Sequence, residues 1–276
     1  MTDAAAPWQR ILLATEHTEF DAGAERLAIE LAQKSGRPLA AVVPIATNAE
    51  LLAEAPGIAA RIDADAAARR TELLREARAA GVSVDVRVGA DADKWQAIVS
   101  AASGARADLV VVRRRGRQGF VARMLVGEMA ASVASHAPCD VLLVPRAARL
   151  WSGGVVAAVD DSPASVRVAA AAASVATGFA LPLRLVTAAA EATLPHARET
   201  LERALRTQER EGHAATAHAR VGRTADEIVA ATAELGADLV VIGRHGASSA
   251  LRRAVLGSTA QKVVGLASCA VLVVRT

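Results

Sequence analysis

The stretches ADLVVVRRRGRQGF (residues 107–120) and ADLVVIGRHGASSA (residues 237–250) say nearly the same thing and decide how the chain is read. The register holds outward from them through Gly116 and Gly246, Gly127 and Gly257, and Cys139 and Cys269, which marks an internal duplication. Inside each stretch, LVVV or LVVI is a short apolar run bounded by turn residues. That is the pattern of a strand buried on both faces. The copies part company where small residues would let backbone approach a ligand. The second has Gly243, Gly246 and Gly257-Ser258-Thr259; the first has Arg113, Gly116 and Gly127-Glu128-Met129.

Working outward in the second copy, the Val/Ala run 154–159 ends in Asp160-Asp161-Ser162-Pro163, a strand followed by a helix cap and a first-turn proline. A helix is expected over 163–178, a strand over 181–187, a charged amphipathic helix over 195–212 and a strand over 214–220. A helix at 224–235 closed by Gly236, a strand at 238–242, a helix at 257–267 and a strand at 270–274 complete the copy. The first copy repeats the order with strands at 10–14, 38–44, 82–88, 108–112 and 140–144, and helices at 20–35, 61–80 and 92–104 and before the last strand. It is longer ahead of the 61–80 helix, where AELLAEAP reads as a short extra helix. Strands alternating with helices at this spacing call for right-handed crossovers and a parallel sheet covered on both sides. The expected fold class is α/β: two tandem open parallel five-stranded sheets, in units 1–146 and 152–276. Pairing of the halves through strands 141–144 and 271–274 would satisfy both open edges.

Each unit is long enough to bury its own core. Hydrophobic residues make up 53% of the chain, yet alanine supplies much of that and only six aromatics are present. The scarcity of aromatics argues against a stacking platform for single-stranded nucleic acid. A formal charge of +3, with acids and bases interspersed, argues against a polyanion-binding surface, and Arg113–Arg117 lack aromatic partners or a reading helix. The start MTDAAAPWQR lacks the pattern of a secretory signal and no stretch has the look of a membrane span, so a cytoplasmic protein is the expectation. Cys139 and Cys269 occupy equivalent places before a strand and read as small core residues.

Ligands of open parallel sheets sit beyond the carboxyl ends of the strands. In the second copy those ends carry Asp160, then Thr187 and Ala188, then Gly243. Asp160 is a candidate acceptor for a base or sugar hydroxyl, or a cap for the next helix. Gly243-Arg244-His245-Gly246 supplies the bend and close backbone approach that a polyphosphate needs, since glycine admits left-handed φ and removes the Cβ. Gly257-Ser258-Thr259 then opens a helix whose free amides favour an anion, unless Ser258 is only a helix cap. The chain lacks a P-loop, since the residue before Ser258 is Gly257 and not lysine, and VDDSPAS is no dinucleotide fingerprint.

Strand-Asp, a G-x2-G turn after the fourth strand, G-[ST], and a Cys before the last strand in APCDVLLV or ASCAVLVV together resemble the universal stress protein (UspA-like) family, here as a tandem pair over essentially the whole chain. The resemblance implies a Rossmann-like, adenine nucleotide alpha hydrolase-like sheet of order 3-2-1-4-5. It also implies a branch that binds ATP, sometimes with slow hydrolysis, a branch that does not, and pairing through the last strand. Carried over, Asp160 would lie near adenine and ribose, Gly243, Gly246 and Gly257 around phosphates and ribose, with Ser258 and Thr259 as phosphate donors. The family's second and third glycines are usually nine residues apart; here ten, 247–256, separate Gly246 from Gly257.

In the first copy Glu16 stands for the aspartate, Arg113 fills the room of a glycine, and Glu128 at the helix start opposes a phosphate and suits a self-capped helix. The function expected is stress-response binding of ATP, with or without Mg²⁺, in the second unit, the first being mainly structural. The alternatives are a protein-interaction module with both crevices vestigial, and a slow ATPase using His245 or Asp160. His196, His213 and His218 lack zinc-ligand spacing. A further homodimer of such tandems and an unknown protein partner are both compatible with this reading.

Overall fold

Alternate residues of one strand serve opposite layers: Leu109 and Val111 join one apolar cluster, Val110 and Val112 the other. This period of two, repeated along buried strands, lets one sheet carry helices on both faces. A computed structural model describes residues 7–47, 56–114, 127–246 and 255–275. The extra helix expected at AELLAEAP lies, except for Pro56, outside the described residues, and so do Arg115, Gly116 and Arg117.

The first half comprises β1 (Ile11–Ala14), α1 (Ala22–Ser35), β2 (Leu39–Ala46), α2 (Pro56–Ala79), β3 (Val84–Asp91), α3 (Lys94–Gly104), β4 (Leu109–Arg113), α4 (Glu128–His136) and β5 (Asp140–Val144). The second half comprises β6 (Val155–Ala158), α5 (Ala164–Phe179), β7 (Leu183–Ala189), α6 (Leu194–Arg210), β8 (Ala215–Val221), α7 (Thr224–Glu234), β9 (Leu239–Gly243), α8 (Ser258–Leu266) and β10 (Ala270–Val274). A 3₁₀ turn, Glu191–Thr193, leads into α6.

The strands form one sheet of order β3-β2-β1-β4-β5-β10-β9-β6-β7-β8. Each half is parallel with the expected 3-2-1-4-5 order, but the two expected sheets are continuous. The join is the antiparallel pairing of β5 with β10, which sets Val141 against Val273, Leu142 against Leu272 and Leu143 against Val271. All six side chains are fully buried, so neither apolar edge is left to water.

The aspartate of each ADLVV stretch has a job the sequence does not disclose. Asp108 accepts hydrogen bonds from the Gln9 and Arg10 amides, both at 2.9 Å, and Asp238 accepts from those of Ser152 (2.7 Å) and Gly153 (2.9 Å). Each staples the entry of its half's first strand to the fourth. Beside the entries, Trp8 and Trp151 meet edge to face with ring centroids 6.3 Å apart, and Trp151 meets Phe179 at 5.2 Å. Among the described residues no helix is long and apolar enough to cross a membrane.

Candidate functional site

The crevice of the second half lies where β6 and β9 end and their connections diverge, which is where the topology of a parallel sheet leaves room for a ligand. It encloses about 250 Å³. Asp160, Ser162, Ser165, Ala188 and Thr224 edge it, Gly243, His245, Gly246, Gly257, Ser258 and Thr259 form the loop side, and Ala158, Val168, Ile228 and Ile242 give it an apolar floor. Asp160 Oδ1 accepts from the Ser162 amide at 3.0 Å and from the Ser165 hydroxyl at 2.8 Å, while the Asp160 amide donates to Ser165 Oγ at 2.7 Å. Asp160 therefore organises the turn ahead of α5 rather than capping the helix amides. Its Oδ2 faces Gly246, where a Cβ would lie 2.9 Å away.

The glycines act through close approach. Neither Gly243 nor Gly246 has the left-handed φ that was one of the two reasons expected for them, and Gly257 does not have it either. A Cβ on Gly243 would stand 3.2 Å from the His245 carbonyl oxygen and 3.5 Å from Val168, and one on Gly257 would stand 3.3 Å from the Arg244 carbonyl oxygen. The Gly257 amide donates to that same carbonyl at 3.0 Å, closing the turn onto the start of α8. Gly257, and not Ser258, is the N-cap of α8, and it offers no side-chain cap. Gly257, Ser258, Thr259 and Ala260, at the start of α8, line the crevice, and the first amides of a helix have no intrahelical partner.

Two expected site residues point elsewhere. Thr187 is buried within β7 and does not border the crevice, because alternation along the strand gives that wall to Ala188. The Arg244 guanidinium crosses to the first half, where Nη1 donates to the Ser135 carbonyl and Nη2 to that of Ala137, both at 2.9 Å. Burial lowers the pKa of Arg244 from its ordinary value, while the nearby Asp140 opposes that shift. Only its backbone adjoins the site. His245 Nε2 lies 2.9 Å from the Val255 carbonyl, which can only accept, so that nitrogen carries a proton and is not a free base. Sequence reasoning missed Ser162, Ser165 and Thr224. The first two were legible as the hydroxyls two and five residues after Asp160.

In the first half a side chain takes the position that Gly243 leaves open in the second. Arg113, 6% exposed, sends Nη2 to Glu16 Oε1 (2.5 Å) and Nη1 to Asp21 Oδ2 (2.9 Å) and Thr18 Oγ1 (3.0 Å). Lys94 holds the other oxygen of Glu16. Burial would raise the Glu16 pKa, but the Lys94 hydrogen bond and the charges of Arg113, Lys94 and Arg69 outweigh it and hold the carboxyl below its ordinary value. A cavity of about 510 Å³ remains beside it, larger than that of the second half, lined by Glu16, Arg113, Gly127, Glu128 and Met129 together with Asp93, Lys94 and Trp95 of the α3 start. Glu128 borders this cavity and sets a carboxylate at the start of α4.

Other reactive groups lie apart. Burial pushes the Cys139 thiol up to about 12 and the Cys269 thiol to about 11, and both are free. Asp161 is exposed and pairs with His196 at 3.0 Å and Arg203 at 3.0 Å on α6, the His196 hydrogen bond chiefly lowering its pKa. Beyond β1, His17, Glu25 and Glu76 bring one potential ligand atom each within 4.8 Å of one another. Glu25 there already accepts from Thr15 Oγ1 at 2.5 Å and pairs with His17 Nδ1 at 3.0 Å, which makes a satisfied hydrogen-bond cluster.

Comparison with known proteins agrees with this architecture. The model of the universal stress protein family matches residues 7–145 and again 154–275. A functionally unknown protein from Pseudomonas aeruginosa PAO1 has a similar structure, with a TM-score of 0.73, 21% identity, and 99% of this chain and 95% of that one covered. So does a universal stress protein from Archaeoglobus fulgidus DSM 4304, at TM-score 0.73 and 19% identity over 96% of each chain. At such identities these likenesses speak for the fold. No curated protein matches the chain. With both halves matched by one family model, the chain belongs to the universal stress protein family as a tandem of two copies.

Proposed function

We propose that the protein binds an adenine nucleotide, ATP foremost, in the crevice between β6 and β9, and that the first half, whose crevice is degenerate, serves as its structural partner. The observation that carries this reading is the contrast at one repeated position: Gly243 leaves the crevice open, while Arg113 fills its counterpart and is held there by Glu16, Asp21 and Thr18. The residues fit the ligand's chemistry. Asp160 would lie at the nucleoside end, Ala158, Val168, Ile228 and Ile242 offer apolar cover for a base, and the amides of α8 with Ser258 and Thr259 would hold phosphate. Gly243, Gly246 and Gly257 let the backbone come close, and Ala188 forms the far wall. The adenine preference rests on the resemblance to the family's ATP-binding branch. Mg²⁺, where it accompanies ATP, supplies charge neutralisation between phosphates, and binding without turnover accords with a His245 Nε2 already paired.

Calorimetric titration of the full chain with Mg-ATP tests the reading. Saturable binding is expected, and it should disappear in Gly243→Arg and in Ser258→Glu, changes that install the first copy's residues. A wild-type protein showing no saturation up to millimolar nucleotide refutes it. So does a Gly243→Arg protein that binds as well as wild type.

A further inference from the structure

We propose that Ser135, which belongs to the first half, is a positioning residue for the ligand loop of the other half. The proposal rests on the β6–β9 crevice being the nucleotide site. The Leu256 amide, immediately before the Gly257 N-cap, donates to Ser135 Oγ at 2.9 Å in a buried setting. Ser135 Oγ itself donates to the Ala131 carbonyl at 2.8 Å, so the hydroxyl proton is committed there and a lone pair is turned towards Leu256. The Ser135 carbonyl accepts from Arg244 Nη1, and the Ala137 carbonyl accepts from Nη2. Carbonyls at a helix C-terminus lack intrahelical donors and favour a cation, so the end of α4 is a natural dock for this guanidinium.

Arg244 precedes the loop's second glycine, and Leu256 precedes its third. Both flanks of the phosphate-facing turn are therefore tied to the same helix end, and to each other through the Gly257 amide on the Arg244 carbonyl at 3.0 Å. The arrangement is not mutual. Arg114, the repeat partner of Arg244, does reach back to the Val264 carbonyl. The repeat partner of Ser135, however, is Gly265, which has no hydroxyl to offer the first half's loop. The anchor thus exists in the one direction that serves the open crevice.

Removing it leaves the start of α8 to be ordered at the moment of binding, and apparent affinity falls with the fraction of molecules already competent. The test uses the full chain as wild type, Ser135→Ala and Ser135→Thr, with Mg-ATP calorimetry and, without nucleotide, amide hydrogen exchange. Ser135→Ala should weaken Mg-ATP binding by about tenfold, the scale of one buried amide left unpaired, and speed exchange over residues 256–260 while β4 and β9 stay protected. Ser135→Thr, which keeps the hydroxyl, should recover most of both. Wild-type affinity in Ser135→Ala overturns the proposal. So does weakened affinity without faster exchange at 256–260, or a threonine variant as weak as alanine. If wild-type protein takes up no nucleotide, the site reading fails instead, and the exchange measurement alone decides whether Ser135 holds the loop.

Discussion

Removing the Arg113 guanidinium should be costly, because it is buried between Glu16 and Asp21. Arg113→Met keeps much of the apolar stem but withdraws the guanidinium from Glu16 (2.5 Å) and Asp21 (2.9 Å). Glu16 retains Lys94, so the deficit lands on Asp21, whose side chain is 1% exposed. Asp21 keeps the Thr18 amide at 3.0 Å and the Thr18 hydroxyl at 2.5 Å, which shelter but do not neutralise it. Breaking a buried pair from one side costs about 3–5 kcal/mol; the surviving Thr18 donors put this case near the lower end. The acid dependence supplies a second signature. In the wild type Glu16 is depressed, so its contribution is complete above the ordinary value of 4.5 and is lost as pH falls through the lower folded value. With Arg113 gone, burial weighs more on Glu16, and its protonation relieves the variant while it weakens the wild type. Urea unfolding followed by tryptophan fluorescence should show a deficit of about 3 kcal/mol at pH 7 that narrows at pH 4. The combined Arg113→Met, Glu16→Gln, Asp21→Asn protein should recover most of it. A single variant within 0.5 kcal/mol of wild type, roughly the range of an ordinary surface change, or a deficit constant with pH, would refute the reasoning.

Two further outcomes follow from packing. Cys139, buried, and Cys269, half-buried, with thiols pushed to about 12 and about 11, should resist a disulfide reagent at pH 8 in the native protein and react at once in denaturant; fast native labelling of Cys139 would contradict its burial. Gly23→Ala should destabilise the first half by more than about 2 kcal/mol, because its Cβ would stand 2.2 Å from the Pro145 carbonyl oxygen and 2.8 Å from that of Arg146. A melting temperature equal to wild type would show that the linker yields.

Much of the architecture is legible in the amino-acid sequence alone. The duplication, the element order and the pairing of the last strands follow from apolar runs and from two edges that would otherwise face water. Boundaries drift by a few residues where the pattern is soft, as at β3, expected at 82–88 and observed at Val84–Asp91. The plug is half-readable: an arginine in place of glycine announces filled space, but nothing near it in sequence names Asp21, 92 residues away, as its partner. Arg244 shows the converse failure. A cation in a glycine turn invites a phosphate, yet its direction is set by carbonyls of α4, more than a hundred residues earlier. Thr187 fails on parity, since one step along a strand exchanges the crevice for the core. His17, Glu25 and Glu76 converge from a loop and two helices, and sequence spacing carries no trace of that.

The β5–β10 ladder also sets a timetable. β5 pairs with β4 on one edge, but its other edge, carrying buried Val141–Val144, waits for β10 at the end of the second half, so a growing chain carries an open apolar edge for as long as ribosomes take to make that half. At about 5–20 residues per second that interval is many seconds, time in which a second nascent chain can supply its own β5. The halves therefore face a kinetic choice between closing on each other and swapping with a neighbour, and slow translation of the second half shifts that choice towards the swap.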